Sequence, residues 1–95
     1  MEYEWNLAKE ALNRRKHGVS FTAAARALED PRKLELLDDR FDYREERIQS
    51  IGIDRGVILF IVTVMRSERL CRIISARKAT RHEQEKYLQG GPLLG

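Results

Sequence analysis

Cationic side chains in two parts of the sequence could act on a phosphodiester. Lys16 and His17 are adjacent, and Arg72, Arg77 and Lys78 lie close together near the C-terminus. Cleaving RNA without a metal requires removal of the 2′-hydroxyl proton, stabilisation of the phosphorane charge and protonation of the leaving 5′-oxygen. Lys, His and Arg can divide these three tasks.

The same residues also have structural explanations. Lys16 complements the dipole of a helix C-terminus, His17 packs at that helix end, and Arg72 lies on the polar face of an edge strand.

The net charge of +3 is too small to predict a polyanionic partner. Residues 55–95 hold 8 basic and 3 acidic side chains, whereas residues 1–54 hold 10 and 12. This basic half suits phosphate binding and equally suits a solubilising surface.

Other site chemistries lack support in the sequence. His17 and His82 are far apart, and one cysteine cannot complete a metal site with them. No glycine-rich loop has the spacing of a nucleotide-binding motif. We therefore expect neither a metal nor a cofactor, and we expect Cys71 to be a buried packing residue.

The length of 95 residues predicts one domain, over residues 1–89, with a short flexible tail at 90–95. The most apolar run, Val57–Met65, is far shorter than the roughly 20 residues of a membrane-spanning helix. The N-terminus carries Glu2 and Glu4 and does not resemble a secretory signal. The sequence thus predicts a cytoplasmic protein.

The first part of the chain predicts a strand and two helices. A strand at Tyr3–Trp5 precedes a helix that is capped by Asn6 and ends at Gly18. Ser20 caps a second helix, which Pro31 stops. Helical spacing places two sets of residues on one face each: Ala8, Ala11, Leu12 and Arg15 in the first helix, and Phe21, Ala24, Ala25 and Leu28 in the second.

The pattern in the rest of the chain predicts strands and a final helix. A strand with Leu34 and Leu36 leads into an acidic loop, Asp38–Glu46. Short connections then predict antiparallel hairpins between three β-branched runs, of which the middle one is the central strand: Arg47–Ile53, Val57–Met65 and Leu70–Ser75. Thr80 and Glu83 form a capping box for the last helix. The expected fold is α+β, in the order β-α-α-β-β-β-β-α, with a small antiparallel sheet packed by two N-terminal helices and one C-terminal helix.

Alternation along Leu70–Ser75 predicts which side chains reach the core. Leu70, Arg72 and Ile74 should share one face, and Cys71, Ile73 and Ser75 the other. If Cys71 and Ile73 face the helices, Arg72 emerges on the opposite face of the sheet.

Two blocks of the sequence, with shorter flanking segments, resemble the BrnT family of type II toxins from about residue 3 to residue 88. The blocks are Arg15-Lys16-His17-Gly18-Val19-Ser20-Phe21 and Arg72-Ile73-Ile74-Ser75-Ala76-Arg77-Lys78-Ala79-Thr80, and the flanking segments are Glu4-Trp5-Asn6, Ala24-Ala25, Asp30-Pro31, Glu45-Glu46-Arg47 and Glu83. The resemblance implies a RelE-like ribonuclease toxin that arrests translation. It also implies a BrnA-type antitoxin that neutralises the toxin and binds operator DNA, which the toxin contacts only through that partner.

On this hypothesis the candidate catalytic residues are Lys16, His17, Arg72 and Arg77, and the candidate RNA-binding residues are Arg47, Lys78, Arg69 and Arg81. The antitoxin should lay acidic or apolar segments over the cationic site, and the acidic loop should lie away from it.

One departure from the family supports an alternative function. Many BrnT proteins carry an acidic residue and then Arg at the turn between the last two strands, where this chain has Arg66 and Ser67, followed by Glu68 and Arg69. The alternative is a binding module without catalysis, acting as antitoxin partner and co-repressor.

Overall fold

Residues 1–38 and 46–90 are described by the computed structural model, and within them the elements follow the predicted order. They are β1 (Glu2–Glu4), α1 (Leu7–His17), α2 (Phe21–Leu28), β2 (Leu34–Asp38), β3 (Arg47–Asp54), β4 (Val57–Met65), β5 (Leu70–Lys78) and α3 (Arg81–Gln89). Most of the predicted acidic loop, residues 39–45, and residues 91–95 of the predicted tail lie outside the described residues.

The strands form one sheet in the order β1-β5-β4-β3-β2, which confirms β4 as the central strand. The pairs β2–β3, β3–β4 and β4–β5 are antiparallel. Strand β1 runs parallel to β5 and pairs only with its first residues, Glu4 lying opposite Arg72. The sheet is therefore mixed at one edge, because β1 reaches β5 across the fold and not through a hairpin.

The helices begin and end at the capping residues that the sequence predicts. Asn6 and Ser20 accept backbone N–H bonds at the starts of α1 and α2, and Gly18 ends α1 with a φ of 70°. Thr80 and Glu83 form the capping box of α3. Helix α2 ends at Leu28, shortly before Pro31.

Two apolar clusters lie on opposite faces of the sheet. The larger joins α2 to β4 and β5, and its members include Phe21, Ala24, Ala27, Leu28, Leu59, Ile61, Ile73 and Ala76. The smaller joins α3 to the other face, through Ile51, Ala79, Tyr87, Leu34, Ile53, Ile58 and Phe60. On that second face the apolar cluster stops at the row of Ile51 and Phe60. In the next two rows, valines of β4 (Val62 and Val64) lie between polar or charged residues of β3 and β5.

The face of α1 that helical spacing identifies does not pack on the sheet. Ala8, Ala11, Leu12 and Arg15 are all exposed, so the face that they share points away from the sheet. The side that meets the body is polar, because Asn13 is buried and the Glu10 carboxylate accepts a hydrogen bond from the Phe21 N–H at 2.9 Å.

Asn13 fixes α1 against β5. Its Nδ2 donates to the carbonyl oxygens of Val19 (3.0 Å) and Ala76 (2.8 Å), and its Oδ1 accepts from the Ala76 N–H at 3.2 Å. Strand β1 ends opposite Arg72, so it does not pair with the β5 backbone at Ala76. The Asn13 amide thus satisfies a strand edge that would otherwise be left with buried polar groups.

A β-bulge in β5 changes which side chains share a face. Thr63 pairs with Ile73 but Val62 pairs with Ser75, so Ile74 is an extra residue. Cys71 and Ile73 are buried on the helix side, as predicted, and Arg72 lies on the other face. The prediction that Ser75 shares the face of Cys71 is wrong, because strict alternation does not include the bulge. Past the bulge, Ala76 enters the core and Arg77 joins the face of Arg72.

The C-terminal end of α3 is held by Asp30. The Tyr87 hydroxyl donates to the Asp30 carboxylate, which also accepts from the N–H groups of Arg32 (2.9 Å) and Ile53 (3.0 Å). Burial alone would raise the pKa of Asp30, but these hydrogen bonds hold it below its usual value. Burial and the bond to Asp30 raise the pKa of Tyr87 to about 12.

We predict that Asn13→Ala destabilises the fold strongly. The substitution leaves the carbonyls of Val19 and Ala76 and the N–H of Ala76 without partners, at a cost of about 2–4 kcal/mol. Urea denaturation measures the difference. Leu12→Ala is the neighbouring control, because Leu12 is 61% exposed. Its free energy of unfolding should stay within about 0.5 kcal/mol of wild type. Equal stability of the two variants would show that the Asn13 amide does not hold α1.

Candidate functional site

A cross-strand row on the α3 side of the sheet brings two arginines together. Arg47 on β3 pairs with Val64 on β4, which pairs with Arg72 on β5, and Arg72 pairs with Glu4 on β1. We call Glu4, Arg72, Val64 and Arg47 the cationic row. Neighbouring strands are about 4.8 Å apart, so the Cα atoms of Arg47 and Arg72 are about 10 Å apart. Both described ends of the predicted acidic loop lie beside this row, because Asp38 is the backbone partner of Arg47 on β2 and Glu46 directly precedes Arg47. The expectation that the loop lies away from the site is therefore wrong for these two ends.

The Glu4 carboxylate lies near two arginines. Its Oε1 is 3.8 Å from the Nε of Arg66 and 4.0 Å from the Nε of Arg72, and the buried Arg72 Nε makes no hydrogen bond. The Arg72 side chain is 36% exposed and that of Glu4 is 38% exposed, so solvent screens these contacts. Arg72 is therefore positioned by Glu4 but weakly held, and it retains the capacity to bind an anion.

Lys16 and His17 lie at the end of α1, beside the bulge in β5. They line a shallow groove of about 330 Å³ together with Lys9, Leu12, Asn13, Ile74 and Ser75. Ser75 is three residues from Arg72 on the same strand, a distance of about 10 Å at the rise of a β-strand. The structure thus brings Lys16 and His17 to the edge of the strand that carries Arg72.

Arg77 is on the same face as Arg72, but it is engaged within the fold. Its guanidinium donates to both carboxylate oxygens of Glu83, at 2.8 and 3.0 Å, and lies 4.1 Å above the centre of the Phe60 ring. It also donates to the carbonyl of Lys78 at 3.2 Å. These contacts anchor the start of α3 to the sheet, and a catalytic role for Arg77 stays a prediction.

The other candidate RNA-binding residues are dispersed. Lys78 is exposed at the end of β5 and in register with Leu59, on the α1 and α2 side of the sheet. Arg81 is 95% exposed on α3 and lies 3.7 Å from Glu85. Arg69 is in the turn before β5, where its carbonyl accepts from the Glu2 N–H at 2.7 Å. Of these three, Arg69 is nearest in sequence to the cationic row.

Sequence reasoning gave Glu4 and Asn13 no role in the site. Glu4 stood only within a short matching segment, and its contact with Arg72 depends on the parallel pairing of β1 with β5. Asn13 lies on the polar side of an amphipathic pattern, which ordinarily indicates solvent exposure. Glu83 was predicted as a cap, but its ion pair with Arg77 carried no local signal.

In residues 1–38 and 46–90, no three His, Cys, Asp or Glu side chains come together as metal ligands would. Within the same ranges, no helix combines the length and apolar character needed to cross a membrane.

The protein is a small α+β domain that carries Arg47 and Arg72 in the cationic row on one face of its sheet. Lys16 and His17 lie at the edge of β5. A model of the family "ribonuclease toxin, BrnT, of type II toxin-antitoxin system" matches residues 5–83. The chain belongs to this BrnT family. Family membership implies ribonuclease activity, an RNA substrate and an antitoxin partner.

A comparison of structures agrees with this fold. The crystal structure of the Brucella abortus ribonuclease toxin BrnT superposes with a TM-score of 0.61 at 23% sequence identity, covering 85% of this chain and 99% of that one. The likeness confirms the BrnT-like α+β architecture. A search of curated proteins gives no significant match.

The ion pair between Arg77 and Glu83 predicts a pH-dependent contribution to stability. Burial alone would raise the pKa of Glu83, but the Arg77 guanidinium and the Thr80 N–H lower it below its usual value. The folded state thus favours the ionised carboxylate, and this stabilisation is present above the unfolded-state pKa of about 4.3 and lost as the pH falls through the folded-state pKa.

We therefore expect Arg77→Gln to lower the free energy of unfolding by about 1–2 kcal/mol at pH 7, with a smaller difference below about pH 4. Urea denaturation at pH 7, 5 and 3 measures this. Arg81→Gln, at a 95% exposed side chain, serves as the control and should change little at any pH. If the difference in the free energy of unfolding between Arg77→Gln and wild type is the same at all three pH values, the contact of Arg77 with Phe60 contributes more than its ion pair with Glu83.

Proposed function

We propose that this protein cleaves single-stranded RNA at the cationic row and the adjoining edge of β5, without a metal. The observation that carries the proposal is the register that places Arg47 and Arg72 in one row, with Lys16 and His17 beside the bulge of the same strand as Arg72. Arg47, Arg69, Lys78 and Arg81 would bind the RNA backbone around this centre.

The reaction assigns different tasks to Arg and to Lys or His. A base takes the proton of the 2′-hydroxyl, whose oxygen attacks the adjacent phosphorus, and the bond from phosphorus to the 5′-oxygen breaks as that oxygen receives a proton. Arg keeps its proton at neutral pH, so Arg72 would stabilise the phosphorane charge. His17 and Lys16 can exchange protons and are the candidates for acid and base. Arg77, already bound to Glu83, would orient or support Arg72.

Membership of the family supports a setting for this activity. We propose that the toxin acts in the cytoplasm and arrests translation, and that a BrnA-type antitoxin neutralises it. The toxin would reach operator DNA only through that partner. An antitoxin that covers a cationic site gains from acidic or apolar segments.

A second candidate function is a binding module without catalysis. The observation that favours it is that carboxylates of the same chain lie against three of the arginines: Glu4 beside Arg66 and Arg72, and Glu83 on Arg77. In this alternative the cations are structural, and the protein serves as antitoxin partner and co-repressor.

The first test is cleavage of a labelled single-stranded RNA by wild type and Arg72→Ala. Losing one donor to a developing oxyanion lowers rates by about 100-fold or more, so Arg72→Ala should do the same with its fold intact. Thermal unfolding checks that fold. Arg55→Ala is the matched control, because Arg55 is exposed in the turn at the other end of β4.

The outcomes separate the two functions. Cleavage that Arg72→Ala abolishes and that persists in EDTA supports the metal-free ribonuclease, and loss of wild-type cleavage in EDTA contradicts metal independence. Wild-type cleavage that Arg72→Ala leaves unchanged places the centre elsewhere. If the folded wild-type protein cleaves no RNA and causes no growth arrest on expression, the result supports the binding module.

Salt dependence tests the outer contacts. A protein that neutralises phosphates releases counterions, so its affinity for RNA falls as salt rises. Lys78→Gln should flatten the log–log slope by about one unit if Lys78 contacts a phosphate. Titration of a 2′-O-methyl RNA, which cannot be cleaved, measures the slope, and Arg55→Gln should leave it unchanged. An unaltered slope in Lys78→Gln would place Lys78 outside the RNA footprint.

A further inference from the structure

The apolar residues of α1 lie on its solvent side. Leu7 is 77% exposed and Leu12 is 61% exposed, and Ala8 and Ala11 between them are exposed as well. We call these four residues the outer stripe. Their positions follow helical spacing, so they form an apolar band along the N-terminal half of α1, and Arg15 continues the same face toward the C-terminal end. An exposed apolar band of this kind marks an interaction surface more often than a scattered single leucine does.

The stripe is not needed to hold α1 in place. The opposite side of the helix supplies the contacts with the body, through the hydrogen bonds of Asn13 and Glu10. The alanines of the stripe present little side-chain bulk, which allows another helix to approach closely. The shape of the surface therefore fits a helix.

The charges beside the stripe indicate the chemistry of that helix. Lys9, Arg14, Arg15 and Lys16 are exposed around it. The acidic residue of α1, Glu10, points into the body and accepts the Phe21 N–H. The surface is thus apolar in the middle and basic at its borders, which complements an apolar stripe bordered by Asp and Glu.

A second copy of this chain fits the surface poorly. Two α1 helices packed through the stripe would bring the exposed cations of both copies, Lys9, Arg14, Arg15 and Lys16, to one interface, and like charges at close range repel. RNA also fits poorly, since phosphates can use the cations but not the two leucines.

We infer that an acidic amphipathic helix of the antitoxin docks along the outer stripe of α1. This inference rests on the antitoxin partnership in the proposed function. It adds a location and a mode of inhibition, because Leu12 of the stripe also lines the groove that contains Lys16, His17 and Ser75. A helix over Leu12 covers the edge of the candidate site, so docking and occlusion of RNA occur at one surface.

The test uses the full chain and the purified antitoxin that is encoded with it. Titration calorimetry compares wild type with Leu7→Glu and Leu12→Glu, which place a carboxylate where acidic side chains of the partner would lie. Each substitution should weaken binding by about tenfold or more, the effect of losing a buried leucine contact. The matched control is Leu88→Glu on α3, where the leucine is 74% exposed, and it should bind like wild type. Both stripe leucines are exposed, so the variants should keep the melting temperature of wild type.

The alternative outcomes are distinct. If the antitoxin binds wild type and every variant equally, the docking site is overturned but the partnership stands. If it does not bind wild type, the partnership in the proposed function fails and the docking site with it. If light scattering shows a wild-type dimer that Leu12→Glu separates, the stripe is covered by a second copy. If the stripe variants lose RNA affinity and keep antitoxin affinity, the surface binds RNA.

Discussion

The bonds from the Asn13 amide to Ala76 and Val19 determine how the two halves of the chain meet. Asn13 occupies the edge of β5 past the end of β1, and its two contacts with Ala76 imitate those of a neighbouring strand. Its contact with the Val19 carbonyl also fixes the link between α1 and α2. Buried amide groups gain stability only when all their partners are present. The position of α1 against β5, and with it that of Lys16 and His17, therefore depends strongly on the Asn13 side chain.

The bulge at Ile74 has a comparable effect on the arginines. Uninterrupted alternation would place Arg72 and Arg77 on opposite faces, because they are five residues apart. One extra residue turns both to the α3 face and sends Ala76 into the core. Arg77 can then bind Glu83 and lie over Phe60, while Arg72 joins the row with Arg47. The bulge thus places Arg77, which anchors α3, and Arg72, which belongs to the candidate site, on the same face of the sheet.

Local sequence signals accounted for much of the fold. The caps at Asn6, Ser20 and Thr80 depend on side chains near the helix starts, and the burial of Cys71 follows from alternation on the near side of the bulge. The prediction was incomplete where contacts between strands decide the outcome. The parallel pairing of β1 and the contact between Glu4 and Arg72 join segments far apart in sequence, and strict alternation does not include the bulge opposite Val62 in the β4–β5 hairpin. The same limit applies to the site, where residue types suggested the chemistry but tertiary pairing brought Arg47 and Arg72 together.

The orientation of α1 connects these points. Hydrophobic periodicity correctly identified a face of Ala8, Ala11 and Leu12, yet that face lies outward because Asn13 and Glu10 satisfy backbone groups that an apolar side chain would leave unpaired. Turning the helix around would bury the leucines but lose those hydrogen bonds at the β5 edge. The polar contact with the body and the exposed apolar stripe are thus two consequences of one constraint. A helix fixed to its own domain through polar groups keeps its apolar residues for a partner.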